Sequence, residues 1–357
     1  MMILVTGGAG FIGTHTVLAL RARGDDVRVL DAFTEPVHQP GWTPALPADV
    51  EVLRGDVRDA DAWARALEGA DAVVHLAAYQ DYLTDFSRFF AVNATGTALL
   101  YETIVARRLP VRRVVIASSQ SVYGEGAARC SKDGLVVPEQ RDPDALAKGD
   151  WDVRCPICGG PVEPAPTPEQ LADPRNAYGI SKLAAEHVAQ RYATLFGLPL
   201  HMCRLASVYG PMDRDTPGRV VKCAPNVMMH RALAGKPWTV HAPTGVGDWI
   251  QSGDVGRAIC AMLRAPALNH GMYNIAYGEP VSLGALSDMV CAVVPGARWS
   301  EADRAEGADI AGDPRRPGGA WGAYATDRLR GDTDWQPRPL EEALGDYADW
   351  MRRYELV

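Results

Sequence analysis

Tyr178 and Lys182 stand four residues apart in Tyr178-Gly179-Ile180-Ser181-Lys182. On a helix that spacing puts both on one face. A free tyrosine titrates at about 10 and is a poor base at neutral pH. A neighbouring ammonium favours the phenolate and makes it a usable base, and the same lysine can hold a ribose. A second constellation lies near the N-terminus. Thr6-Gly7-Gly8-Ala9-Gly10-Phe11-Ile12-Gly13 stands between a predicted strand and a predicted helix. Gly7 permits the sharp turn, Gly10 lets a pyrophosphate approach the backbone, and Gly13 lets helix and strand pack closely. The helix N-terminus then stabilises the negative charge. Asp31 ends the second apolar run, where an acid accepts hydrogen bonds from ribose hydroxyls and repels a 2′-phosphate. Ala32 and Phe33 follow it, with no adjacent base, which favours NAD over NADP; a solvated loop acid is the other reading. Asp56, in Gly55-Asp56-Val57-Arg58-Asp59, reads either as an adenine contact or as a helix cap.

A third set is built of cysteines. Arg154-Cys155-Pro156-Ile157-Cys158-Gly159-Gly160 has the form of a zinc knuckle, C-x-x-C with glycine after it, whose turn brings amides toward thiolates. Cys130-Ser131-Lys132-Asp133-Gly134 repeats the frame with Asp133 in place of the second cysteine. Cys130, Asp133, Cys155 and Cys158 together make a Cys3Asp structural zinc site. A knuckle that has lost its metal fits the same residues. No thioredoxin-like unit surrounds the pair to make it a redox motif.

These groups need elements to hold them. Short, continuous apolar runs at Ile3–Val5, Val27–Leu30, Val50–Arg54, Ala72–Leu76, Val114–Ser118 and Leu200–Ala206 read as strands buried on both faces. Helical stretches at Phe11–Arg23, Ala60–Leu67 and Tyr178–Phe196 alternate with them. The rhythm predicts an α/β, Rossmann-like, doubly wound parallel sheet over residues 1–210. Residues 125–176, rich in proline, glycine and charge, form an irregular insertion carrying the candidate zinc ligands. Residues 211–357 make a smaller C-terminal substrate domain, with 248–275 returning to the first domain.

Composition narrows the classes. The 357 residues are 47% hydrophobic and 22% charged, ordinary for a globular enzyme. A net charge of -8 argues against nucleic acid as a partner, since phosphate backbones need clustered Lys and Arg. There is no unbroken apolar run of about 18 residues to predict a membrane span, and no basic leader precedes the first strand. Seven cysteines, an odd number, suit a reducing compartment, and the expected location is cytoplasmic.

Three further runs complete a pattern: His75-Leu76-Ala77-Ala78, Val92-Asn93-Ala94-Thr95-Gly96-Thr97 and Ala117-Ser118-Ser119-Gln120-Ser121-Val122-Tyr123-Gly124. With the glycine turn and the Tyr-Lys pair they resemble, in order, the motifs of extended short-chain dehydrogenase/reductases acting on nucleotide sugars. The resemblance runs from residue 2 to about 210 and more loosely to the end. It implies that Tyr178 is the base, Lys182 its partner and Ser119 the hydroxyl sharing the substrate oxygen's proton. It implies cofactor contacts at Gly7, Gly10, Phe11, Ile12, Gly13, Asp31, Asp56, Val57, Leu76, Ala77, Ala78, Asn93, Ser118, Tyr178, Lys182 and Leu205. Substrate contacts fall to Ser119, Gln120, Ser207, Arg219 and Arg316.

Within such a family, oxidation at sugar C4 opens every reaction. Dehydratases carry an acidic pair directly after the catalytic hydroxyl, and decarboxylases usually a Glu at the first of those positions. Here Gln120 and Ser121 stand there, and neither serves as a carboxyl acid or base. Subtraction favours 4-epimerisation, and the resemblance implies a dTDP- or UDP-sugar as substrate. An oxidoreductase or dehydratase of the same family, and a noncatalytic NAD-binding regulator, are the competing readings. The insertion, and the run Pro36-Val37-His38-Gln39-Pro40-Gly41, resemble those of dTDP-L-rhamnose 4-epimerases and their relatives. Two departures stand out. Ser207 replaces the usual Asn after Arg204-Leu205-Ala206, and Gly247 replaces the usual phosphate-contacting Arg before Asp248-Trp249. Arg316, before Pro317-Gly318, matches the second phosphate arginine, and Arg219 is a candidate substitute for the first.

The resemblance also implies a homodimer, paired through helices matching about Phe89–Ala106 and Tyr178–Phe196. Leu99, Leu100 and Ile104 on the first, and Leu183, Val188, Tyr192 and Leu195 on the second, face either the sheet or a partner.

Overall fold

The computed structural model describes residues 1–35, 37–38, 46–80, 84–148, 150, 152–213, 223–241, 245–310 and 322–354. The chain opens with β1 (Met2–Thr6), α1 (Phe11–Ala22), β2 (Asp26–Asp31), β3 (Glu51–Arg54), α2 (Ala60–Ala66) and β4 (Ala72–His75). A short α3 (Phe86–Phe89) runs through a π-helical stretch, Phe90–Thr95, into α4 (Gly96–Arg107), and β5 (Arg113–Ser119) follows. The insertion contributes β6 (Ala128–Cys130), β7 (Gly134–Val136), α5 (Pro143–Ala147) and β8 (Val162–Pro164). Next come α6 (Ala177–Phe196), β9 (His201–Leu205), β10 (Ser207–Tyr209), α7 (Ala224–Leu233), β11 (Trp238–His241), β12 (Val246–Gly247), β13 (Trp249–Gln251), α8 (Ser252–Arg264) and β14 (Met272–Ile275). The last elements are β15 (Val281–Ser282), α9 (Leu283–Val293), β16 (Trp299–Ala302), α10 (Asp327–Asp332) and α11 (Leu340–Arg353).

Seven of these strands form one parallel sheet in the order β14-β9-β5-β4-β1-β2-β3. The predicted Rossmann-like sheet is borne out. Its central strands are buried on both faces, which explains their unbroken apolar runs. One face packs on α1 and α8 through Val17, Leu20, Val255, Ile259 and Met262. The other packs on α2, α4 and α6 through Trp63, Leu100, Ile104, Ala189 and Ala193. Gly256 lets α8 lie close on α1, since a Cβ there would meet the His15 carbonyl oxygen at 2.7 Å. The strand order reverses between β1 and β4, and a crevice at the carboxyl ends of strands is where such sheets bind ligands.

A separate core of Met228, Trp238, Leu286, Leu344 and Tyr347 holds the C-terminal elements together. The insertion has its own small core around Ala128, Cys130, Val136 and Cys155, under a three-stranded antiparallel sheet β7-β6-β8.

Two points that the sequence leaves open are sharpened. Leu100 and Ile104 point into the chain's own core, so neither is available to a partner. The continuous helical stretch Phe86–Arg107 is long and apolar enough to cross a membrane by length and composition, although no single apolar run flags it in the sequence. Its Phe89, Asn93, Leu100, Tyr101 and Ile104 are buried within the fold.

Candidate active site

The glycine turn joins β1 to α1 at the strand reversal. Gly7 has φ +66°, and a Cβ on it would meet Ala77 Cα at 2.8 Å, so the turn lies directly on the exit of β4. A Cβ at Gly13 would stand 2.0 Å from the Gly7 carbonyl oxygen, so only glycine lets α1 begin there. Gly10 is the helix N-cap and brings no side-chain cap, leaving the first-turn amides of Phe11 and Ile12 without a side-chain acceptor. That cradle of backbone N–H groups at a helix N-terminus fits a dinucleotide pyrophosphate. At the end of β4, the Leu76 amide donates to Thr6 O at 3.2 Å and the Ala77 amide to Thr6 Oγ1 at 3.2 Å. Ala78 continues this half-buried floor.

Asp31 closes β2 beside the turn. It accepts from the Ala9 amide at 3.1 Å and the Phe33 amide at 3.0 Å, so the carboxylate ties the glycine turn to the second strand. His38 Nε2 stands 3.2 Å from Asp31 Oδ1, and Arg54 lies over the Phe33 ring at 5.8 Å. Chain neighbours alone offer Asp31 no base; folding brings two into the vicinity. Asp56 is neither free nor a cap. It accepts from the Arg58 amide, Nε and Nη2 at 2.9, 3.0 and 2.7 Å, and the Arg58 hydrogen bond pulls its carboxyl below the ordinary range. The cap of α2 is Asp59, which accepts from the Asp61 amide. Val57 is buried, its carbonyl accepting from Trp63 Nε1 at 2.7 Å.

The catalytic candidates meet at the ends of β5 and α6. Asn176 caps α6, accepting from the Gly179 amide at 2.7 Å. A Cβ at Gly179 would meet Ser121 O at 2.3 Å, so this glycine lets the first turn of α6 seat against the turn after Ser119. Tyr178, half-buried, rides on that turn. Lys182 is buried one turn on, its Nζ donating to Ala117 O at 2.6 Å. Burial pushes its ammonium down to about 8. Ser119 accepts from the Ser121 amide at 3.1 Å. Asn93 is structural as well as central: it holds the Tyr79 backbone from both sides, at 2.8 and 3.1 Å, and donates to Ser181 Oγ at 2.9 Å. Leu205 and Ser118 lie buried on neighbouring strands, with Ser119 and Leu205 in register.

Behind these groups is an ion pair that motif reading missed. Arg204 grips Glu186 through Nε and Nη2 at 2.9 and 2.7 Å, both side chains being buried. Ser118 donates to the same carboxylate. Arg204 also lies over the Tyr123 ring at 4.6 Å. Glu186 stands four residues past Lys182 on the same helix face, and that spacing was the available signal.

The candidate substrate contacts draw distant residues together. Gln120 Nε2 donates to Ser207 Oγ at 2.9 Å, and Tyr324 OH donates to Gln120 Oε1 at 2.8 Å. Gly247, where a phosphate-contacting arginine was expected, is covered by the Trp249 indole; a Cβ there would meet its Cζ2 at 2.6 Å. Asp248 is buried and accepts from the amides of Tyr277, Gly278 and Tyr324, and burial pushes its carboxyl up to about 7. Arg219 and Arg316 lie outside the described residues.

In the insertion the two half-knuckles converge. Ligand atoms of Cys130, Asp133, Cys155 and Cys158 all lie within 4.8 Å of one another. Asp133 Oδ2 is 3.3 Å from Cys130 Sγ and 3.1 Å from Cys155 Sγ, and the Cys130 and Cys158 sulfurs are 3.6 Å apart. The Lys132 amide donates to Cys130 Sγ at 3.4 Å. Such separations match the edges of a coordination tetrahedron with metal–ligand distances of about 2.0–2.3 Å.

A family model for the NAD-dependent epimerase/dehydratase family matches residues 3–148 and 158–276. This chain belongs to that family. Membership makes it an NAD-dependent enzyme, and the glycine cradle and Asp31 fit the cofactor. The enzyme is 30% identical to a dTDP-L-rhamnose 4-epimerase of Burkholderia thailandensis, over 98% of this chain and 94% of that one. It is 26% identical to a dTDP-glucose 4,6-dehydratase of Mycolicibacterium smegmatis, over 99% and 94% of the two chains. Among solved structures, the UDP-glucose 4-epimerase of Thermus thermophilus in complex with NAD superposes with a TM-score of 0.69 at 27% identity, covering 99% of both chains.

Proposed function

We propose that the enzyme is a nucleotide-sugar 4-epimerase acting on a dTDP- or UDP-linked sugar. The observation that carries this reading is the pair after Ser119. Gln120 and Ser121 supply no carboxyl group to expel water from an oxidised sugar, and Gln120 is committed to Ser207 and Tyr324 instead. The relatives named as 4-epimerases support it.

In this reading Tyr178 takes the proton from the sugar's C4 hydroxyl while Ser119 shares it. Lys182, buried beside them, holds positive charge that favours the phenolate. The NAD cofactor supplies the hydride acceptor and, once reduced, the donor. The crevice must let the 4-keto sugar turn over before the proton returns from Tyr178. Nucleotide sugars incubated with the NAD-loaded enzyme in deuterated water test it. A C4 epimer without deuterium at C4 is expected; a 4-keto-6-deoxy product would make the enzyme a dehydratase instead.

The converging cysteines support a structural zinc. Three thiols and one carboxylate fill a tetrahedron and leave no open position for chemistry. No disulfide joins two cysteines among the described residues, which suits a reducing, cytoplasmic setting. A homodimer is also part of the reading. Ile180, Ala184, His187, Arg191 and Leu195 share the face of α6 opposite the buried Lys182, Ala185 and Ala189, and Ile180 and Leu195 are exposed. Phe86 and Phe90 are exposed on the neighbouring helix. With Leu100 buried, the substitution that tests pairing is Leu195→Glu, read by light scattering.

A further inference from the structure

Tyr324 belongs to none of the motifs singled out in the sequence, yet its hydroxyl reaches Gln120, the residue after Ser119. Its ring is buried and stacked on Tyr123, with centroids 5.3 Å apart and 24° between planes. Its backbone is held from two sides. The Tyr324 amide donates to Asp248 Oδ2 at 3.2 Å. Thr167, from the end of the insertion, runs alongside: its amide donates to Ala323 O at 2.8 Å and its carbonyl accepts from the Ala325 amide at 3.0 Å. Asn274 closes the clamp, accepting from Tyr123 OH at 2.6 Å and donating to Thr167 O and Ala325 O at 3.2 and 3.0 Å.

With ring and backbone both fixed, the hydroxyl is aimed at Gln120 Oε1, 2.8 Å away. Burial holds the phenol well above its ordinary value, so it stays a donor. A donor at Oε1 sets the orientation of the amide and turns its nitrogen to Ser207 Oγ at 2.9 Å. One N–H of Gln120 is spent there. The second N–H and a lone pair on Oε1 meet no partner among the described residues. Gln120 is half-buried and directly follows Ser119. Its uncommitted polar atoms therefore adjoin the place where the reacting hydroxyl would sit.

We propose that Tyr324 is a positioning residue for the sugar, locking the Gln120 amide so that its uncommitted N–H meets a hydroxyl next to the reacting carbon. The inference rests on the nucleotide-sugar reading of the crevice. It makes Gln120 a specificity determinant and gives the insertion a part in the site, because Thr167 is what runs beside Tyr324.

The test is a double-mutant cycle in the NAD-loaded enzyme with UDP-glucose, UDP-glucuronic acid and dTDP-L-rhamnose. A hydrogen bond made equally in ground and transition states moves KM rather than kcat. Tyr324→Phe and Gln120→Ala should each raise KM for the accepted sugar about fivefold or more, with kcat within about twofold. Retained NAD and an unchanged Tm would show that neither variant is misfolded. The double variant should be no worse than Gln120→Ala alone, because Tyr324 acts through that amide. Additive losses, or an unchanged KM in Tyr324→Phe, would overturn the inference while leaving the epimerase reading intact. If the wild type turns over none of the three sugars, the epimerase reading fails. The same cycle is then run on UDP-glucose binding by calorimetry, where non-additive weakening supports the inference and additive or absent weakening overturns it. A wild type that does not bind UDP-glucose overturns both.

Discussion

The two walls of the crevice are built differently. The proposed cofactor wall uses residues close together in the chain: Gly7, Gly10 and Gly13 in one turn, with Asp31 at the end of the next strand. Its donors are backbone amides, placed by the absence of side chains. The proposed sugar wall is an assembly of side chains, Gln120, Ser207 and Tyr324, whose partners stand 87 and 204 residues away along the chain. Backbone donors tolerate no added atoms, whereas side-chain donors can be retuned one at a time.

Five substitutions or titrations test it. The largest effect is expected on the cofactor wall. Gly13→Ala puts a Cβ 2.0 Å from a carbonyl oxygen, and the helix must shift. The purified protein should lose at least about nine-tenths of its NAD and fall in Tm; normal NAD content would show that the turn is not the binding element. Next is Tyr178→Phe, which should keep NAD and lose turnover by at least about two orders of magnitude, the scale of a positioned base. Near-normal turnover would remove the proposed chemistry.

Lys182 makes a pH prediction. Burial lowers its pKa to about 8 in the folded chain, against about 10.4 in an unfolded one. Activity that needs the ammonium is present below about 8 and falls above it, so kcat/KM should drop about tenfold per unit on that limb. Between the two pKa values the unfolded chain binds the extra proton, so this lysine makes stability rise with pH across that window. A rate flat to pH 10 would contradict the assignment.

A smaller effect is expected at the insertion. Cys155→Ser should lower bound zinc from about one per chain and lower Tm, since closing such a site contributes folding energy. A metal-free wild type of undiminished stability would show that the knuckle is empty by nature. The smallest effect is expected at Asp56. Its carboxylate already serves Arg58 in a partly exposed pair, so Asp56→Asn should change NAD affinity by no more than about fivefold. A larger loss would move Asp56 onto the cofactor.

Much of the cofactor wall was legible because its chemistry is local. A three-glycine turn after a buried strand has few other uses, and Tyr178 and Lys182 share a helix face by spacing alone. The knuckles were legible in the same way, as two short frames. What escaped was long-range or masked by a stronger motif nearby. Asp59, not Asp56, caps α2. His38 returns to Asp31 from a loop. Leu100 looked as suited to a partner as to the core, since an apolar residue on a helix does not say which neighbour it meets.

The amino-acid sequence by itself determined the strand-and-helix rhythm, the glycine turn, the Tyr-Lys pair and the absence of a carboxyl acid after Ser119. Each depends on residue type and on spacings shorter than one helix or one turn, which the backbone's own geometry converts into a shared face. Only the tertiary structure decided that Gln120, Ser207 and Tyr324 form one hydrogen-bonded group, that four candidate ligands from two short frames converge, and that Glu186 is held by Arg204 behind the catalytic candidates. Those contacts join segments whose separation along the chain sets no distance until the sheet order and the insertion's own pairing bring them together.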